Sequence, residues 1–258
     1  MTLAAAALAC PQQRPTAESG AMSDGQTPGG NRWNAVGGET CWSLVSRASA
    51  GDREARSRFG RVYLQLVRSF LLARWRRSPL LGETDDAIQE TFVECFRPDG
   101  ALVRADQSRG DFRGYLFGIV RNVALRCEER WQKRASQNAT TPMLGEIEGR
   151  EDHLSKVFDR QWALTLMREA GDLMRARAAM AGPAAQRLVD LLQLRIGNNL
   201  PIRTIAAQWQ TDADALHRAY AKAREEFHAC LRQVVAHHMV RTEAELDDEC
   251  KRLFALLE

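Results

Sequence analysis

Residues 110–126 combine side chains that bind phosphate with one that can read a nucleic acid base. Arg113, Arg121 and Arg126 offer guanidinium donors, and Arg130 follows one helical turn further on. Asn122 offers a carboxamide, which donates and accepts hydrogen bonds at once. A nucleic acid surface would use both kinds of group, although a solvated basic face on an ordinary helical bundle would also explain the arginines.

The apolar residues of the same stretch recur every three or four positions, which is the period of a helix that buries one side. The arginines and Asn122 mostly fall outside that apolar face. We therefore predict a helix that is held by its apolar face and lies with its outer face along a nucleic acid backbone.

A second candidate interface lies within residues 200–235, where a short helix, a turn and a long helix are predicted. The turn contains Gln210 where many such motifs carry glycine, and Thr211 is expected to cap a long helix starting at Asp212. Two helices joined in this way fit a major groove, and a plain helical hairpin is the alternative. The polar residues expected on the outer face of the long helix are Asp214, His217, Arg218, Lys222 and Arg224.

Helical periods run through the rest of the chain from residue 39, and no strand-like alternation persists, so we predict an all-α fold. Polar segments with Gly and Pro divide it into two helical domains joined by a linker. The predicted order is a disordered tail (1–38), a first helical domain (39–136), a linker (137–153), a helix-turn-helix domain (154–235) and a C-terminal amphipathic helix (236–258).

The charge of the 258-residue chain is unevenly distributed, although the net value is only +3. Residues 53–77 hold eight arginines and one acid, whereas residues 237–258 hold six acids and three bases. A clustered positive charge favours a polyanionic partner.

The six cysteines form no Cys-x-x-Cys pair and no zinc-like cluster, which indicates a reducing cytoplasm, and Cys95, Cys127 and Cys230 fit apolar helical faces.

The sequence offers no sign of catalysis, of a cofactor or of a metal site. It contains no phosphate-binding loop, no Ser/His/Asp set and no cluster of metal ligands, so an enzyme such as a nuclease ranks last among the hypotheses. No apolar stretch approaches the length of a membrane span, and we expect no membrane partner.

Taken together, these motifs resemble the extracytoplasmic-function sigma factors of bacterial RNA polymerase. Residues 85–92, Asp-Asp-Ala-Ile-Gln-Glu-Thr-Phe, resemble the helix of the family's second region that docks on the polymerase clamp. Residues 110–126 resemble its promoter-melting helix, which reads the minus-ten element, and residues 200–224 resemble its fourth-region helix-turn-helix.

The resemblance covers about residues 39–134 and 154–235, in the family's order and spacing. Residues 97–102 and 159–163 are similar to sigma factors of planctomycete type. The resemblance implies a sigma region-2-like domain followed by a region-4-like domain.

For the first domain, the resemblance implies a face that binds core RNA polymerase. Its acids and amide have no bases nearby in the sequence, which suits a partner that offers arginines, although helix capping alone would explain Asp85 and Asp86. The expected polymerase-binding residues are Asp85, Asp86, Gln89, Glu90 and Val93.

Asn122 aligns with the position from which the family reads an unpaired minus-ten base. Arg121, Arg126 and Arg130 are expected to hold phosphates, while residues 103–111 shape the base pocket. The expected minus-ten residues are Arg113, Arg121, Asn122, Arg126 and Arg130.

In the second domain, the resemblance implies that Asp214, His217 and Arg218 read the minus-thirty-five element. Lys222 and Arg224 are expected to touch phosphate, and a structural role is the alternative for Arg224. These five residues, Asp214, His217, Arg218, Lys222 and Arg224, form the expected minus-thirty-five site.

The C-terminal helix is predicted from residue 242, where Thr242 and Glu245 indicate a capping box. We expect it to pack on the DNA-binding domain. A regulatory role, in which this acidic helix covers a basic surface or binds a regulator, is the alternative.

The function implied by the resemblance is that of a sigma factor, a promoter-specificity subunit without enzymatic activity that binds core RNA polymerase and promoter DNA in the cytoplasm. A further partner, an anti-sigma factor or another regulatory protein, is suggested by the family and by no residue of this chain. The alternative function is a helix-turn-helix transcriptional regulator that does not join the polymerase.

Overall fold

The computed structural model describes residues 41–137, 151–238 and 242–257. These residues form helices joined by short turns and contain no strand, so the all-α prediction is confirmed for the described part of the chain. The predicted tail, residues 1–38, lies outside the described residues, and so do residues 138–150 of the predicted linker. No described helix is both long enough and apolar enough to cross a bilayer.

The helices follow one another with few residues between them. The α-helices are α1 (Cys41–Ser49), α2 (Arg53–Trp75), α3 (Thr84–Phe96), α4 (Phe112–Gln137), α5 (Glu151–Ala181), α6 (Pro183–Leu192), α7 (Ile202–Trp209), α8 (Ala213–His238) and α9 (Glu243–Ala255). Short 3-10 turns (Pro79–Glu83, Leu102–Arg104 and Gln107–Arg109) flank α3 and precede α4, and a π-helical turn (Gln193–Gly197) extends α6.

The described residues separate into two compact units. The first module comprises residues up to 169 together with the C-terminal residues from 231, and the second module comprises residues 170–230. This division differs from the predicted domain boundary at residues 137–153, because the first half of α5 and the end of α8 belong to the first module.

Aromatic packing explains why the first half of α5 belongs to the first module. Trp162 stacks on Tyr63 of α2 with ring centroids 5.9 Å apart. Phe158 meets Phe70 of α2 at 6.2 Å and Phe117 of α4 at 5.1 Å, both edge to face. Such pairs stabilise a core beyond the area that they bury, so α2, α4 and α5 hold one another in place.

A buried ion-pair network fixes α4 against the same neighbours. Glu128 of α4 accepts hydrogen bonds from Arg74 and from the Trp75 indole at 2.8 Å. Arg74 also donates to Glu151 at the start of α5, at 3.2 Å. Because these charges are removed from water, each depends on its partners for its stability.

The second module has a small core of its own around α7. Leu191, Ile205 and Leu216 are buried together, and Trp209 and Tyr220 pack against them.

The predicted placement of Cys95, Cys127 and Cys230 on inward faces is confirmed, since all three are buried free thiols.

The C-terminal helix α9 begins with the predicted capping box, formed by Thr242 and Glu245. It belongs to the first module, whereas the sequence analysis expected it to pack on the DNA-binding domain. Arg232, which follows the second module along α8, forms ion pairs with Glu243 and, at 3.0 Å, with Asp247. These contacts tie the end of α8 to α9 and bring both into the first module.

Candidate nucleic-acid interface

Polar and small residues recur at intervals of four along α4. They are Gly114, Gly118, Asn122, Arg126 and Arg130, and each lies about 40° further round the helix than the one before it, so the row winds around α4. We call these five residues the α4 stripe. Asn122 lies at its centre and is exposed, and its carboxamide makes no hydrogen bond within the described part of the chain.

The start of α4 is held in place by three contacts. Asp111 caps the helix and accepts a hydrogen bond from the backbone N–H of Gly114 at 2.8 Å. Phe112 is fully buried, and the hydroxyl of Tyr115 donates to the carbonyl of Ala101 at 2.5 Å. The loop before α4, in which we expected a base pocket, is thereby tied to the helix that carries Asn122.

The two glycines leave the backbone of α4 open on the stripe. A Cβ added at Gly118 would meet no atom within 4 Å, so the space beside this residue is empty. A Cβ at Gly114 would approach the capping carboxylate of Asp111 to 3.0 Å. Glycine in the interior of a helix costs stability but lets another molecule approach the backbone closely.

The two arginines of the stripe are paired with carboxylates of α3. Arg130 donates to both oxygens of Glu90, at 3.0 and 2.5 Å. Arg126 lies 3.3 Å from Glu94 and 3.7 Å from Glu90. Acids of the same module thus neutralise Arg126 and Arg130 in this conformation, and their expected contacts to phosphate, which stay a prediction, require these ion pairs to be exchanged.

The two remaining arginines of the expected minus-ten site are also paired. Arg113 is half-buried and forms an ion pair with Asp159 of α5, and its Nε is buried without a hydrogen-bond partner. Burial lowers the pKa of Arg113. Arg121 donates to Glu151 at 3.2 Å. Arg113 thus joins α4 to α5, and its expected contact to DNA stays a prediction.

The expected polymerase-binding face of α3 is only partly free of bases. Asp85 pairs with Arg68 at 2.8 Å, and Glu90 pairs with arginines of α4, so the expectation of acids without nearby bases is wrong for these two. Asp86 and Gln89 are exposed, and Val93 is 64 % exposed. Within the described part of the chain, the unpaired outward face of α3 thus consists of Val93 beside Asp86 and Gln89.

In the second module, α7 and α8 are a short and a long helix joined by a tight turn, as predicted. Gln210 ends α7 in the left-handed region, with φ 50° and ψ 45°. This backbone conformation favours glycine, which is why many such turns carry a glycine at this position. The predicted cap is corrected, because Asp212 accepts from the backbone N–H of Ala215 at 2.8 Å. The hydroxyl of Thr211 instead donates to the carbonyl of Trp209 at 3.1 Å.

The outer face of α8 is exposed as predicted. Arg218 and Lys222 form no ion pair with any described residue, and Arg224 lies 6.0 Å from the ring of Tyr220. Cations on this face are therefore available to a polyanion. All five residues of the expected minus-thirty-five site are exposed, namely Asp214, His217, Arg218, Lys222 and Arg224.

Two basic residues of the second module were missed by the sequence analysis. Arg203 is exposed in the first turn of α7, and Arg187 lies over the ring of Trp209 at 4.7 Å. The N-terminal turn of a helix presents unpaired backbone N–H groups, which favour anions. The position of Arg203 just after Pro201, a helix-starting residue, was the signal that could have identified it.

The described residues bring together no group of His, Cys, Asp and Glu that could hold a metal ion. Neither a family model nor a curated protein nor a solved structure matches this chain.

Proposed function

We propose that this protein is a promoter-recognition subunit of bacterial RNA polymerase, similar to the extracytoplasmic-function sigma factors, which acts in the cytoplasm without enzymatic activity of its own. The observation that carries the proposal is the exposed, unpartnered carboxamide of Asn122 on the α4 stripe. The open backbone at Gly118 supports it, since a nucleotide strand could approach α4 closely there.

In this proposal α4 binds the separated strand of the minus-ten element. A base that has left the stack exposes its hydrogen-bonding edge, and Asn122 can donate to and accept from that edge. Unstacking costs a few kcal/mol, which contacts to the phosphates must offset. Arg126 and Arg130 lie on the same stripe and would supply those contacts after exchanging their present partners.

The helix-turn-helix of the second module binds the minus-thirty-five element as a duplex in this proposal. The first turns of α8 would enter the major groove, with Asp214, His217 and Arg218 near the bases. Arg203 and Lys222 would contact phosphates. An anti-sigma factor or another regulatory protein is a further partner that only the family resemblance suggests.

Core polymerase would bind the outward face of α3, through Asp86, Gln89 and Val93. An acid, an amide and an exposed apolar residue on one face suit a partner that combines arginines with apolar contacts. Gln89→Ala with Val93→Ala is then expected to reduce co-purification with core polymerase. Val103→Ala, at an exposed apolar residue outside α3, is the control and should co-purify as the unchanged protein does.

The test of the whole proposal is transcription in vitro with purified core polymerase on a promoter library. We expect Asn122→Ala to reduce promoter opening about tenfold or more, because a bidentate base contact is worth about 1–3 kcal/mol. Polymerase binding should not change. Gln132→Ala is the matched control, since Gln132 is an exposed carboxamide of α4 that lies off the stripe. Equal transcription from the Asn122 variant and the unchanged protein would contradict the proposal.

One observation favours a second candidate, a helix-turn-helix regulator that does not join the polymerase. The arginines of α4 are paired within the first module, whereas Arg218 and Lys222 of α8 have no ion-pair partner among the described residues. Duplex binding could then reside in the second module alone. Tight, sequence-specific binding of a duplex in the absence of polymerase, without transcription when polymerase is added, would favour this candidate.

A further inference from the structure

A ladder of ion pairs joins α3 to the C-terminal half of α4. Glu90 pairs with Arg130 at 2.5 Å, and Glu94 pairs with Arg126 at 3.3 Å. Glu94 also pairs with Arg97 at 3.0 Å and with Arg104 at 3.3 Å. Glu83, just before α3, pairs with Arg134 at 3.3 Å. We call the pairs of Glu90 and Glu94 with Arg126 and Arg130 the α3–α4 latch. The acids of one helix thus face the bases of the next over several turns.

The arginines of the latch are the same ones that stand on the α4 stripe with Asn122. Both guanidinium groups are about half exposed, so a ligand can reach them without unfolding of the module. The side chains of Glu90 and Glu94 are only 30 % and 13 % exposed, so exchange takes place at the exposed arginine ends of the pairs. A phosphate group can replace a carboxylate as the bidentate partner of arginine.

We propose that the α3–α4 latch is an autoinhibitory contact, in which Glu90 and Glu94 compete with the phosphates of a nucleic acid strand for Arg126 and Arg130. This inference rests on the proposed function, because it assumes that the α4 stripe contacts a strand. The latch lowers the affinity of the free protein for nucleic acid, by occupying two cations and by placing two carboxylates near the strand.

The same acids lie beside the face that is proposed to bind polymerase. Glu90 follows Gln89 directly in α3, so a cationic protein surface that docks on Asp86 and Gln89 also comes close to Glu90. Cations of that partner would compensate the carboxylate and release Arg130. The hydrogen bond from Arg130 lowers the pKa of Glu90, so this carboxylate is charged near neutral pH and the exchange is one of charges. Docking on α3 would thereby increase the affinity of α4 for a strand.

The test measures binding of a fluorescein-labelled single-stranded oligodeoxynucleotide to the full chain without polymerase. We expect Glu90→Gln with Glu94→Gln to bind it about tenfold more tightly than the unchanged protein. The dependence of affinity on salt should also become steeper, by about 1.4 in logarithmic slope, because two additional phosphates are neutralised at about 0.7 each on a single strand.

The matched control removes the same charge elsewhere in the first module. Glu54→Gln with Asp152→Asn changes two exposed acids, in the first turns of α2 and α5, that form no ion pair with described residues. This control should change the affinity less than about twofold and leave the salt dependence unaltered. An equal gain of affinity in the two double variants would mean that the loss of negative charge alone causes it, and this result would overturn the latch.

The inference is also overturned if the latch variant binds the oligonucleotide no better than the unchanged protein, or if neither binds it. If circular dichroism shows that the double variant is unfolded, Glu90→Gln alone decides, with an expected gain of about threefold. The proposed function fails in a different measurement. If the unchanged protein supports no transcription with core polymerase, the proposed function is contradicted, even where the latch variant binds the oligonucleotide more tightly. If the unchanged protein supports transcription but the latch variant gains no affinity, only the latch is contradicted.

Discussion

Arg74 of α2 and Glu128 of α4 form a two-pronged ion pair in the interior of the first module, with Nε to Oε1 at 2.7 Å and Nη2 to Oε2 at 2.9 Å. Burial by itself would lower the pKa of Arg74, but hydrogen bonds to Glu128 and Glu151 outweigh it and raise the pKa. The pair holds α4 in a defined position against α2, which is what a helix needs if it is to present Asn122 at a fixed place.

Removal of one partner should therefore destabilise the first module strongly. We expect Glu128→Gln to lower the free energy of unfolding by about 3 kcal/mol, because the buried Arg74 would keep only Glu151, at 3.2 Å, to compensate its charge. Urea unfolding followed by tryptophan fluorescence measures the change. Glu129→Gln, at the adjacent exposed position, is the control and should cost less than about 0.5 kcal/mol. If Glu128→Gln lowers the free energy of unfolding equally little, the pair of Arg74 and Glu128 does not hold α4 in place.

A second prediction concerns His238, which ends α8 and is buried in the first module beside Trp162. Burial opposes the charged imidazolium, but Cys41 and Glu169 outweigh it and raise the pKa to about 10. The Glu169 carboxylate lies 3.0 Å from Nε2. A histidine whose pKa is raised by folding stabilises the protein fully below its unfolded value of about 6.5, and this contribution is lost as pH rises toward the folded value.

We therefore expect the free energy of unfolding to fall between pH 7 and pH 9, by up to about 1 kcal/mol for each pH unit. The variant His238→Gln should be less stable at pH 6 and should lack this decline. Urea unfolding at pH 6, 7, 8 and 9 gives the comparison. His153→Gln, at an exposed position of α5, is the control and should keep the decline. A pH dependence that is the same with and without His238 would show that the group titrating there is a different one.

A third prediction concerns the turn of the helix-turn-helix. Gln210 has φ 50°, a conformation that costs a residue with a side chain about 1–2 kcal/mol relative to glycine. Gln210→Gly should raise the stability of the second module by about 1 kcal/mol, which a shift in its thermal midpoint would reveal. Asn199, with φ 54°, is the matched control. Asparagine tolerates this region, so Asn199→Gly should raise stability less, and an equal gain at both sites would refute the role of the Gln210 side chain.

The helices and their inward faces were predictable from the sequence, because they depend on local periods and on caps. Asp52 is an example, since it follows Gly51 and caps α2 by accepting hydrogen bonds from the backbone N–H groups of Glu54 and Ala55. The position of α9 was not predictable, because nothing in its own sequence specifies which apolar surface covers Leu246 and Leu253.

The ion pairs of the candidate interface could not be predicted from the sequence either. Residues 85–93 contain no base, so the acids of α3 appear free in the sequence. The partner of Glu90, Arg130, lies 40 residues further along the chain and faces α3 only after α4 has packed beside it. Asp159 and Glu151, which pair with Arg113 and Arg121, are likewise contributed by α5. Residue types and helix faces follow from local sequence, whereas ion-pair partners follow from tertiary packing.

The glycines of the α4 stripe provide the prediction that separates stability from function most clearly. Gly118 has helical neighbours on both sides and open space at its Cβ position, so alanine fits there without a clash. Gly60, in the interior of α2, also has nothing within 4 Å of an added Cβ. Helix propensity alone predicts that Gly118→Ala and Gly60→Ala each stabilise the first module by about 0.5–1 kcal/mol.

The two substitutions should differ in promoter opening if α4 meets a nucleotide strand closely. A methyl group at Gly118 projects from the stripe one turn before Asn122, where it would hold the strand away from the backbone of α4. We therefore expect Gly118→Ala to gain stability and lose promoter opening in transcription assays, whereas Gly60→Ala gains stability and keeps it. A Gly118 variant that is more stable and fully active would show that no strand approaches α4 at this point, and the minus-ten contact would then have to lie elsewhere.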